Sequence, residues 1–229
     1  MNSCLFCLPA LLLAAPALSA EVADRLAPVD SPTVIVKAPR QARAAPASPD
    51  VFGTVALAAG VTEYGARWRR VAAADLKDPR LVRIAATCAG LTKVEQLARI
   101  HAEVGRRIAW RRDLDVYRIS DYWAQAAETL DRGAGDSEDI AVVKMQALRV
   151  AGFHPRDLYL SVGRDKVRGA DTLLLVRLDD RFYALDDRSE APVEARNYGR
   201  FVPVITLGKD SAWLHGKRFA GRSGRALGR

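Results

Sequence analysis

Residues 134–141 read AGDSEDIA, which sets Ser137 between Asp136 and Glu138, with Asp139 directly after. The stretch runs into IAVVKMQALRVA (140–151), which is apolar nearly all round and reads as a central buried helix. A helix start leaves backbone N–H groups unpaired, and together with the helix dipole they stabilise negative charge. That place favours a nucleophile. It suits a thiol, because cysteine starts near pKa ~8.5 and is easily drawn toward the thiolate. A serine hydroxyl is harder to ionise and needs a neighbouring base, usually histidine. The plainer alternative is that Asp136 or Ser137 simply caps the helix.

Three histidines are candidate bases. His101 sits in ARIHAEVG, where a surface or half-buried polar role is the default. His154 follows Gly152 and reads as a turn residue. His215 belongs to WLHG, near the far end of the folded part. Each would serve Ser137 only if the fold brought it there.

The elements that must position these groups follow from periodicity. VTEYGARWRRVAAADL carries Tyr64, Trp68, Val71 and Ala72 at helical spacing. Thr92 and Glu95 form a capping box ahead of a helix with Val94, Leu97, Ile100, Val104 and Ile108 on one face. A short helix is expected in ISDYWAQAAETL, capped by Ser120 or Asp121. Gly135 loosens the loop before the central helix, and Gly152 with Pro155 ends it. The period then changes to strands at 157–162, 172–178, 181–187 and 201–207, with a hairpin at Asp179-Asp180. Pro203 suggests that the last of these is an edge strand. Helices first and antiparallel strands later predict an α+β fold.

The first 20 residues hold no charged side chain and end in Ala17, Leu18, Ser19 and Ala20, the small-x-small spacing of a secretory signal peptide. The run is short for a membrane span and is broken by Pro9 and Pro16. Residues 21–50, rich in Pro and Ala, read as a flexible linker, and 51–216 as the folded domain. Cys4 and Cys7 leave with the signal, so Cys88, in an apolar helical stretch, has no intrachain partner and reads as a buried inert thiol. Residues 217–229 form a basic tail that could dock on an acidic envelope surface. Although the formal net charge is +8, no nucleic-acid-reading motif is present.

GAGDSEDIAVVKMQALRVAGF resembles the nucleophile segment of the bacterial transglutaminase-like cysteine peptidases, the LapG-type periplasmic proteases, whose pattern here is G-D-C-E-D before an apolar helix with a Lys and a closing Gly. FGTVAL (52–57), ARWRRV (66–71), SDYWAQAAETL (120–130), LDD (185–187) and WLHG (213–216) agree in the same order. The resemblance implies a papain-like α+β domain with a Cys-His-Asp triad, in a family that cleaves large surface adhesins in a calcium-dependent way. Ser137 falls at the nucleophile position. The histidine position falls on Asp171, or on Thr172 with a one-residue slip, and the third position matches Asp186. The acids flanking the nucleophile belong to the family's calcium site, which implies Asp136, Glu138 and Asp139 as metal ligands. Hard carboxylate oxygens suit calcium, while the same acids would also offset the helix dipole without a metal. An Asp at 171, with an ordinary pKa near ~3.9, is a poor base for an alcohol.

With cysteine and histidine both replaced, the expectation is an exported, periplasmic or secreted pseudoprotease that binds a protein or peptide ligand such as an adhesin segment, with calcium as its one implied cofactor. Two alternatives stand beside it. One is a working serine-type hydrolase in which His215 or Asp171 assists Ser137. The other is an envelope-binding structural protein that uses the basic tail.

Overall fold

Helix α6 (Ser137–Val150) is the axis of the domain, and residues 139–148 are all buried, as an all-round apolar run requires. The computed structural model describes residues 48–73 and 75–217. The stretches expected to be a signal peptide, nearly all of a linker and a basic tail after Lys217 lie outside the described residues. Ser48 and Asp50 already hydrogen-bond to Ala56, so the ordered chain reaches slightly ahead of Val51.

In chain order, strand β1 (Val55–Ala59) precedes helices α1 (Gly65–Ala72), α2 (Pro79–Ala86) and α3 (Lys93–Arg107). Then come β2 (Ala109–Trp110), α4 (Asp113–Val116), α5 (Ala126–Arg132), β3 (Ala134–Gly135) and α6. The chain closes with β4 (Leu158–Asp165), β5 (Gly169–Leu178), β6 (Arg181–Leu185), β7 (Val193–Glu194), β8 (Phe201–Leu207) and β9 (Ala212–Gly216). The seven longer-range strands form an antiparallel sheet in the order β1-β9-β8-β4-β5-β6-β7. One face packs against α6 and the helices around it, with Leu148, Leu158, Leu160 and Leu174 at 0–1% exposure. Each such burial is worth about 1.5–3 kcal/mol. A second core of Tyr159, Phe201 and Trp213 covers the opposite face. The architecture is α+β.

The predicted capping box is present: Glu95 N–H donates to Thr92 Oγ1, and Thr92 N–H to Glu95. The Asp179-Asp180 hairpin joins β5 to β6, with Asp179 at φ 52°, the left-handed conformation a two-residue turn demands. Other expectations are corrected. Neither Ser120 nor Asp121 caps a helix; α5 begins after Gln125, whose own capping box with Glu128 replaces them. β8 is an interior strand between β9 and β4, not an edge. Pro203 is tolerated because the β4–β8 register slips at Val162/Gly163 and β9 pairs β8 only from Ile205 onward. Gly135 is needed for close approach rather than looseness. A Cβ there would lie 2.7 Å from Asp139 Cβ.

Candidate functional site

The N-terminus of α6 opens on a cavity of about 270 Å³ between the helical layer and β4–β5. The parallel bridge between β2 and β3 pairs Trp110 with Gly135, which sets the indole over the first turn of α6. Asp136 holds the N-cap position, but its side chain makes no capping hydrogen bond, and Ser137 is the first helical residue. The helix start thus keeps its acids turned to other use.

Ser137 is buried and lines the cavity. Its Oγ receives Trp110 Nε1–H at 3.4 Å and Arg188 Nη2–H at 3.5 Å. Asp171, on β5, faces the same cavity. Its carboxylate oxygens make no hydrogen bond meeting normal geometry, and Arg188 Nη2 lies 3.4 Å from Oδ1. Burial pushes the Asp171 carboxyl up and the Asp186 charge adds to this, while Arg188 and the Ser137 hydroxyl oppose it. Thr172 also lines the cavity. Asp186, after β6, accepts from the Tyr198 hydroxyl and from Arg188 N–H at 2.9 Å, and these bonds hold it below the usual carboxylate range against the cost of burial. So Ser137, Asp171 and Asp186 are brought together, with Arg188 threaded among them. Arg188 carried no recognisable signal in the sequence.

No histidine lines the cavity. His215, on β9, spends Nδ1 on Thr54 Oγ1 at 2.7 Å and Nε2 on Thr206 Oγ1 at 2.8 Å. His154 caps a 3-10 turn by accepting from Arg156 N–H. His101 is more buried than its surroundings suggest, with Nε2 at 2.7 Å from Ser189 O. It lines a second cavity, of about 380 Å³, together with the buried Lys144 and Asp187. Burial drives both His101 and His215 down to about 4, so both are neutral near pH 7.

The acids beside Ser137 belong to a larger group. Oxygens of Asp113, Asp136 and Asp139 lie within 4.8 Å of one another, as do those of Asp113, Asp121 and Glu138. Asp113 Oδ1, Asp136 Oδ1 and Asp139 Oδ2 are buried without hydrogen-bond partners. Burial, followed by neighbouring carboxylates, pushes Asp136 up to about 10, and burial pushes Asp139 up to about 7. Orphaned, converging carboxylate oxygens are the donor set a calcium ion takes, so the residues fit that ion. Asp113 and Asp121 were not singled out as ligands from the sequence. Asp121 lay in a recognised motif but read as a cap, and Asp113, the first residue of α4, accepts from Tyr122 N–H and joins the group from a segment distant from Ser137.

A buried helix whose N-terminus meets a cavity at an antiparallel sheet is the architecture of papain-like and transglutaminase-like domains. The family profile of the bacterial transglutaminase-like cysteine proteinases, BTLCP, matches residues 62–214, and the chain belongs to that family. Among solved structures, calcium-bound LapG of Legionella pneumophila is similar over 65% of this chain and 86% of that chain, with TM-score 0.52 and 18% identity. The EGTA-treated form of the same protein is similar over 67% and 87%, with TM-score 0.53 and 18% identity. No curated protein sequence matches. The likenesses at 18% identity speak for the fold.

Proposed function

We propose that this chain is an exported member of the family that binds a protein or peptide ligand, such as a surface adhesin segment, without cleaving it, and that calcium is held beside the binding cavity. The observation that carries the reading is the setting of the Ser137 hydroxyl. Its two hydrogen-bonding neighbours, Trp110 Nε1 and Arg188 Nη2, are donors and accept no proton. No imidazole lines the cavity. The remaining acceptor, Asp171, is a carboxylate beside a guanidinium. Even with burial raising it, such a group is mismatched to an alcohol.

Asp113, Asp121, Asp136, Glu138 and Asp139 would hold the calcium. The ion would supply positive charge where buried carboxylates repel and would tie the chain after α4 to the start of α6. Export is supported by the uncharged apolar leader ending at Ala20. The test is incubation of the purified protein with an adhesin domain or a peptide library at saturating calcium. No cleavage is expected. Cleavage that disappears in Ser137→Ala would overturn the reading and restore a serine hydrolase assisted by Asp171.

A further inference from the structure

The Ser137 cavity is lined by five carboxylates, Asp113, Asp121, Asp136, Glu138 and Asp171, against one base, Arg188. This is a negative pocket in a chain of formal net charge +8. Its two ends differ in chemistry. The acids at the start of α6 offer the donor set of a divalent ion. At the other end, oxygens of Asp171, Asp186 and Asp187 lie within 4.8 Å of one another. Two fixed cations face them: Arg188, at 3.4 Å from Asp171, and the buried Lys144, whose Nζ donates to Leu185 O at 3.2 Å. Three carboxyl groups face two cations, and this end is short of hydrogen-bond donors: both oxygens of Asp171 and one of Asp187 are buried without a partner.

The shortfall is felt at Asp171. Asp186 is satisfied by Tyr198 and a backbone N–H. Asp187 opens on the second cavity, beside Lys144. Asp171 lines the ligand cavity, but its side chain is at 0% exposure with neither oxygen hydrogen-bonded, so a ligand reaches the carboxylate only as the Arg188 or Ser137 side chain beside it moves aside. A buried carboxylate in that state calls for a hydrogen-bonding cation. A divalent ion would sit against two fixed cations. A single-charged group on an apolar stem fits better, because Trp110, whose indole reaches Ser137, lines the cavity at this end and aromatic faces attract such groups. Arg188 Nη1 is buried without an acceptor, which leaves a place for a main-chain carbonyl of the same segment.

We infer that, in a cavity serving as the ligand-binding site proposed above, the Asp171 end receives a lysine or arginine side chain of the bound protein segment. The test uses N-acetyl-lysine methylamide and N-acetyl-arginine methylamide against the neutral N-acetyl-norleucine and N-acetyl-citrulline methylamides. Binding is followed by NMR at the Trp110 indole N–H with calcium present. The basic probes should bind about tenfold tighter than their neutral counterparts, a typical size for one charge-assisted contact. Asp171→Asn should abolish that preference, and Arg188→Gln, which removes the competing cation, should increase it. Equal binding of basic and neutral probes, no binding of either, or a preference unchanged in both variants overturns the inference. Equal binding leaves the ligand-binding reading standing, whereas that reading falls separately if Ser137-dependent cleavage is found.

Discussion

At Ser137 the chemistry turns on what surrounds a single oxygen. Two N–H donors at 3.4 and 3.5 Å approach Oγ, and such long bonds contribute little. Ser137→Ala should therefore cost about 1 kcal/mol or less in chemical denaturation. Ser137→Cys should bring back a thiol at a helix N-terminus, and it should be alkylated by iodoacetamide when native. It should not restore peptide cleavage, because the imidazole is still missing. Lys144 presents the opposite case. It is buried among Asp171, Asp186 and Asp187, and burial draws it down to about 8 against their pull. Lys144→Met removes the cation and leaves the acids, so it should destabilise the protein by about 3 kcal/mol or more, read from the denaturation midpoint.

At the scale of elements, the site depends on close approaches at Gly135 and Gly163. Gly163, on β4, lets the bulged β8 pass. A Cβ there would lie 2.3 Å from Val202 O and 2.9 Å from Pro203 Cα. Because both atoms are backbone, Gly163→Ala should cost about 3 kcal/mol and disturb the cavity wall that Gly163 forms. The approach was invisible in the sequence, where Pro203 pointed to an edge strand, because proline reports a missing donor and says nothing of register. What was legible was local. The apolar run of α6, the Thr92–Glu95 box and the Asp179-Asp180 turn each depend on neighbours a few residues away. The lines that tie Trp110 to Gly135, or Asp113 to Asp136, depend on pairings that no periodicity encodes. The acids next to Ser137 were readable because they are contiguous with it, whereas Asp113 and Arg188 reach the cavity from distant segments.

For the whole molecule, the buried acids make stability depend on pH and, with calcium held as proposed, on calcium as well. Asp136, at about 10, and Asp139 and Asp187, at about 7, hold protons in the folded state that the unfolded chain releases near pH 4. The folded state thus binds more protons, and stability falls as pH rises. Below about pH 6.5 the buried His101 and His215, at about 4, act in the opposite direction, and above about pH 8 so does Lys144. The fall is therefore least opposed between about pH 6.5 and 8, at up to ~1.4 kcal/mol per pH unit for each proton retained. Calcium held as proposed would replace the protons of Asp136 and Asp139, so it should raise the melting temperature and flatten the slope in a differential scanning experiment. Calcium at a hundred times its Kd adds about 2.7 kcal/mol. Asp136→Asn with Glu138→Gln should keep the fold and lose the calcium response.

The proposal that the chain binds its ligand without cleaving it rests on the setting of Ser137, and it is tested most directly by a serine-directed electrophile. The protein is incubated with a fluorophosphonate at saturating calcium and its intact mass is recorded. With two N–H donors and the Asp171 carboxyl around the hydroxyl and no imidazole at the cavity, the mass should stay that of the unmodified chain. An adduct on the peptide that carries Ser137, absent from the Ser137→Ala protein, would contradict it.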